Sequence, residues 1–170
     1  MNNKKRVSSY SPNGDKVFYV GIDNEFMALA KEMAKASNEK QQPVGAVIVQ
    51  GGQITHSDCN NNPLTNLFFI NLHKKYCIRH MLKLPTGKYY WVCPGCARKK
   101  NHAEFKATEK LFKEGILNKP VDLYLWGHWA CCDACCSNME KVPIDNLFLL
   151  ECSEKLFNPK ITGNIIGKQF

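Results

Sequence analysis

His102, Ala103 and Glu104 precede the run Cys132-Asp133-Ala134-Cys135 by thirty positions, and together the two segments could hold a metal ion. One imidazole and two thiolates suit Zn²⁺, and three protein ligands leave the fourth tetrahedral corner for water. On zinc such a water ionises near neutral pH, and a carboxylate that is not a ligand can carry its protons. Glu104, two residues from one ligand, is the candidate for that proton work.

Each segment alone has a plainer reading. Asn101 is a good N-cap with Glu104 three residues on, as in a capping box. Cys132 and Cys135 open a helix predicted over 132–142, where i,i+3 spacing puts both sulfurs on one face. Two helix starts that face each other would hold one ion among three side chains. Cys131 with Cys135, or Cys132 with Cys136, would also share a face. The Cys132–Cys135 pair is preferred because it turns Met139 inward and leaves Cys131 and Cys136 as small apolar fillers.

The elements around these residues follow from hydrophobic periodicity. Phe26, Leu29, Ala30, Met33 and Ala34 recur at helical spacing, so 24–37 reads as an amphipathic helix. VGAVIV (44–49) reads as a buried strand, Gly51-Gly52 as a hairpin turn and QITHSD (53–58) as the partner strand. Residues 59–100 are irregular, with a short helix around 68–82. A helix is predicted from His102 to Ile116, with Ala103, Ala107 and Leu111 on one side and Phe105, Thr108 and Phe112 adjoining. VDLYLWGH (121–128) and NLFLLE (146–151) read as strands. The N-terminal stretch reads as loose, and the tail beyond Cys152 has no clear pattern. This order predicts an α/β, three-layer α/β/α fold with a central mixed sheet. The 170 residues are read as one domain, core about 24–151, with an insert about 60–100.

A hydrophobic content of 44% and three tryptophans exclude a disordered chain. No apolar run is long enough to span a bilayer, and the polar start does not read as a signal peptide, so a soluble, cytoplasmic protein is expected. Nine cysteines, clustered as CPGC and CCDACC, read as metal ligands rather than disulfides. Cys93 and Cys96 could form half of a second, structural zinc site, with Cys77 as third ligand and Cys59, His73 or His80 as fourth. The formal charge of +8 suggests an anionic partner, a nucleotide or a nucleic acid. The insert gathers Lys74, Lys75, Arg79, Lys83, Lys88, Arg98, Lys99 and Lys100; such a cluster would suit a phosphate, and Arg79 offers bidentate geometry. Trp126 and Trp129 could stack on a base, but core packing is the simpler use.

PVGAVIV (43–49), NHAE (101–104) and CCDACCSNM (131–139) together resemble the cytidine deaminase-like superfamily. Within it, CIRHMLKLPTGKYYWVCPGCARKKNHAE (77–104) is similar to the segment before the zinc histidine of deoxycytidylate (dCMP) deaminases. LYLWGHWACCDACC (123–136) is similar to their strand-to-cysteine passage. The resemblance implies that His102, Cys132 and Cys135 hold the catalytic zinc. It implies hydrolysis at C4 of cytosine, with Glu104 carrying protons to N3 and to the departing ammonia. It also implies a nucleotide substrate, a tendency to form homo-oligomers, and a hydrogen bond from Asn60 to the sugar. Cys131 departs from the pattern, standing where a proline is usual, and so do Gly127, His128 and Trp129; His128 could touch substrate. An adenosine of tRNA or a cytosine of single-stranded nucleic acid is the alternative substrate, which the long insert disfavours. A zinc-stapled nucleotide-binding protein without catalysis is the third reading.

Overall fold

The structure, a computed structural model, describes residues 16–85, 88–96, 98–115, 120–132, 135 and 141–170. Among the described residues five strands form one mixed sheet: β1 (Lys16–Val20), β2 (Gly45–Gln50), β3 (Gln53–Cys59), β4 (Val121–Trp126) and β5 (Ile144–Leu150), in the order β1-β5-β4-β2-β3. β1, β5 and β4 run parallel, while β2 is antiparallel to both β4 and β3.

Strand side chains alternate between two cores, as the two-residue period requires. Ala46, Ile48, Leu123, Leu125, Leu147 and Leu149 face one side, where α4 (Ala103–Lys113) packs through Ala103, Ala107 and Leu111. Val47, Val49, Tyr124, Trp126, Phe148 and Leu150 face the other, covered by α1 (Glu25–Lys35) and α5 (Ser153–Phe157). The three layers expected from the sequence are therefore present. Ile48, Leu123 and Leu125 are wholly buried, each stabilising the fold by about 2 kcal/mol through apolar burial.

α1 starts where the sequence places it: the Asn24 side chain accepts hydrogen bonds from the Phe26 and Met27 amides at 3.1 and 3.0 Å. The described part of the N-terminal stretch holds more order than its pattern suggested. Residues 16–20 are not loose but pair in register with β5, and Phe18 stacks on Phe148. The helix expected around 68–82 is two pieces, α2 (Leu67–Lys75) and α3 (Ile78–Met81), broken by the extended Cys77. Phe112 is exposed instead of packed. Most of the helix expected over 132–142, including Cys136 and Met139, lies outside the described residues; Cys135 is helical. Trp126 belongs to the core beside Phe157, and Trp129 stacks on His128.

Candidate metal centre and active site

The C-terminal ends of β3 and β4, the start of β2 and the N-terminus of α4 meet at one edge of the sheet. α4 is pinned there by charge. Lys106 and Lys110 on the helix both pair with Asp58 on β3, and Lys106 also donates to the Cys59 carbonyl at 2.8 Å. Burial pushes the Asp58 carboxyl up, but the two lysines more than offset it and hold it below the usual carboxylate range. At the other strand end, Gly127 has φ +93°, and a side chain there would run into the Pro43 carbonyl. The chain turns at Gly127 and returns through His128 to the cysteines.

His102, not Asn101, is the N-cap of α4, and its side chain makes no capping bond. Asn101 instead closes a 3₁₀ turn, Lys99–Asn101. The expected capping box is therefore replaced by an imidazole that faces the cysteines. His102 Nδ1 lies 3.2 Å from Cys135 Sγ and 3.4 Å from Cys132 Sγ. Zn–N and Zn–S bonds at a tetrahedral angle would separate nitrogen and sulfur by about 3.6 Å, so the donor set fits zinc in type and nearly in spacing. The Cys135 amide donates to the Cys132 carbonyl at 2.9 Å, a tight turn linking the two thiol positions. The two sulfurs interact directly. Their mutual hydrogen bond pulls the Cys132 thiol down to about 6 and, with burial, pushes that of Cys135 well up. Holding both as thiolates calls for a cation.

Glu104 is buried, with Oε1 3.9 Å from His102 Nδ1. Its carboxylate oxygen, the histidine nitrogen and both sulfurs all lie within 4.8 Å of one another. The first turn of a helix is a favourable place for a carboxylate.

His102, Glu104 and Cys132 line a cavity of about 450 Å³, which also touches Asn60, Arg79, Tyr90 and His128. Asn60 is buried and mostly committed to the protein. Its Oδ1 accepts from the Ser37 hydroxyl at 2.7 Å and the Val44 amide at 2.8 Å, and its Nδ2 donates to the Gln42 carbonyl at 2.9 Å. One amide hydrogen is left over from this framework. Arg79 lines the cavity, yet its Nη2 donates to the Pro85 carbonyl at 2.8 Å and its Nε to that of Lys88 at 3.2 Å. The bidentate face expected for a phosphate is thus turned on the insert's own backbone, and the guanidinium stacks on Tyr90 at 4.0 Å. His128 Nδ1 accepts the Ala130 amide at 3.2 Å, and burial holds the ring neutral, down to about 4.

The second expected cluster also assembles. His73, Cys77, Cys93 and Cys96 place their ligand atoms within 4.8 Å of one another. Of the three candidates for fourth partner, His73 occupies the place; Cys59 lies at the end of β3 and His80 is exposed on α3. Sequence reasoning missed Tyr90, whose ring meets that of His102 edge-on at 5.3 Å. It also missed Pro159 and Ile166 of the tail, which line the cavity. An aromatic in an irregular insert carries no signal of what it will pack against, and the tail has no periodicity.

Among curated proteins none matches this chain. A crystal structure of dCMP deaminase from the cyanophage S-TIM5, in apo form, aligns with a TM-score of 0.46 and 19% identity, over 73% of this chain and 78% of that one. The model of the cytidine and deoxycytidylate deaminase zinc-binding region matches residues 21–151. That span takes in His102, Glu104, Cys132 and Cys135, and with it the chain belongs to the cytidine and deoxycytidylate deaminase family.

Proposed function

We propose that the protein is a zinc-dependent hydrolase that converts dCMP to dUMP and ammonia. The observation that carries this is the buried Glu104 carboxylate set against one imidazole and two thiols beside a cavity of about 450 Å³. A volume of that order suits a single nucleotide. His102, Cys132 and Cys135 would hold the zinc, whose Lewis acidity makes water a nucleophile at neutral pH. Glu104 takes the proton of the attacking water and passes it to N3 of the cytosine; it then takes the hydroxyl proton of the tetrahedral adduct at C4 and hands it to the amine as the C4–N bond breaks, leaving uracil and ammonia. His128, neutral and with Nδ1 committed to Ala130, offers Nε2–H to the pyrimidine ring. Asn60 presents its remaining amide hydrogen to the sugar from a frame that cannot rotate. Lys74 and the unused guanidinium hydrogens of Arg79, both on the cavity wall, face the 5′-phosphate.

A second copy of the chain is proposed as partner. Leu67, Phe68, Phe69, Leu72, Met81 and Trp91 are all exposed on the insert, more apolar surface than a monomer usually shows. Among the described residues no helix is long and apolar enough to cross a membrane. The eight cysteines described are all unbridged, which suits a reducing compartment such as the cytoplasm.

The test is ammonia release from a panel of dCMP, CMP, deoxycytidine, adenosine and short single-stranded RNA. dCMP should be the best substrate and should exceed deoxycytidine by at least about tenfold in kcat/KM, since a bound phosphate contributes more than 1.4 kcal/mol. Preference for RNA would favour a nucleic-acid deaminase, and silence across the panel with zinc bound would favour a binding protein.

A further inference from the structure

The cluster in the insert differs from the site above in one respect: its four ligand candidates include no carboxylate and leave no corner for water. Cys77 Sγ lies 3.6 Å from Cys96 Sγ, and His73 Nε2 lies 3.5 Å from Cys96 Sγ. Tetrahedral zinc would set sulfur–sulfur and nitrogen–sulfur separations of about 3.8 and 3.6 Å. A disulfide would bring two sulfurs to about 2.05 Å. The spacing is thus that of ligands around an ion, and all three cysteines are buried.

The surroundings agree. The amides of Ile78, Gly95 and Cys96 donate to Cys93 Sγ, so backbone dipoles converge on that sulfur. Arg79 Nη1 lies 4.0 Å from Cys96 Sγ; three thiolates around a divalent cation carry a net negative charge, and a guanidinium beside them offsets it. Gly95 is required for a steric reason. A Cβ at that position would penetrate the ring of His73, so only glycine lets the imidazole lie across the knuckle.

We propose that His73, Cys77, Cys93 and Cys96 hold a second zinc ion, a closed structural site that staples the insert and builds one wall of the cavity. His73, Cys77 and Cys96 line the same cavity as His102 and Glu104. From Cys96 a continuous contact runs through Arg79 to the face of Tyr90 and from Tyr90 to the ring of His102. The insert's helices bury no apolar side chain of their own, so the ion supplies the cohesion that a core gives elsewhere. It also sets Arg79 and Tyr90 against the catalytic ligand.

The experiment counts zinc in protein purified without chelator. Wild type should carry about two ions per chain and Cys132→Ala/Cys135→Ala about one. That variant leaves the insert untouched, so its remaining ion reports on this cluster whatever becomes of insert variants. Loaded with Co²⁺ in place of zinc, it should show the intense thiolate-to-cobalt absorption of a tetrahedral site with three sulfurs. Gly95→Ala in the same background should lose both ion and absorption. A Cys132→Ala/Cys135→Ala protein that binds no metal would overturn the proposal. So would two missing thiols in a titration done without reductant, which would signal a disulfide. Loss of the catalytic reading would look different: wild type would then hold only the ion that survives Cys132→Ala/Cys135→Ala.

Discussion

The two cysteine–histidine clusters use the same kinds of donor and serve opposite ends. At the sheet edge one imidazole and two sulfurs are joined by Glu104, brought together from segments thirty residues apart by β4 and α4. In the insert, four nitrogen and sulfur donors come from 24 consecutive positions, 73–96, held by short helices and turns. The first site rests on a scaffold with cores on both faces and has a position to spare for chemistry. The second has no such scaffold and spends all four donors on holding itself together. Ligand number and the element that supports each ligand, not ligand type, separate an open site from a closed one.

The largest way to break this contrast is to remove one sulfur from the open site. Cys132→Ala should abolish turnover and the ion held there, while the insert ion and the fold persist; metal content and circular dichroism on one sample check it. Loss of both ions together would mean that the clusters are not independent.

A subtler probe loosens the scaffold alone. Asp58→Asn frees Lys106 and Lys110 from β3, and should cost about 2 kcal/mol of stability, since it leaves two lysines without their carboxylate. Because the Asp58 carboxyl titrates lower in the folded chain than in the unfolded one, its contribution is complete above pH ~3.8 and fades as pH falls through the folded value. Thermal melts of both proteins from pH 7 downward should therefore converge at the acid end. A constant gap would mean that the lysine pairs do not matter.

The last effect concerns His128 and is confined to acid pH. Its folded pKa of about 4 lies below the ordinary 6.5, so the unfolded chain binds a proton in that window which the folded chain refuses. Stability contributed by the neutral ring is present above pH 6.5 and lost as pH falls toward 4. His128→Gln should flatten that limb by about 1–3 kcal/mol. An unchanged limb would place the titration elsewhere.

How much of this was legible in the sequence depends on how local the cause is. β2, its glycine turn and β3 follow from the apolar run VGAVIV and Gly51-Gly52, and α1 from a helical stripe beginning at Asn24. The His102 and Cys132–Cys135 spacing pointed to one site because the pattern puts each ligand at the start of an expected helix. β1 escaped notice although Val17, Phe18, Tyr19 and Val20 favour strand, because its partner β5 lies over a hundred residues away and no turn announces the pairing. Part of the role of Arg79 was not legible. Nothing in its sequence neighbourhood told that the carbonyls of Pro85 and Lys88 would take its hydrogens. His73 was one of three choices for a fourth ligand, and only the break at Cys77 with the bend at Gly95 selects it.

The central claim is that Glu104 moves protons at a zinc site it does not hold together. Ammonia release from dCMP and zinc content, measured side by side for wild type and Glu104→Gln, test it most directly. Turnover should fall by about 10³-fold or more with zinc retained in full. Equal turnover, or loss of zinc along with activity, would contradict the role assigned to that carboxylate.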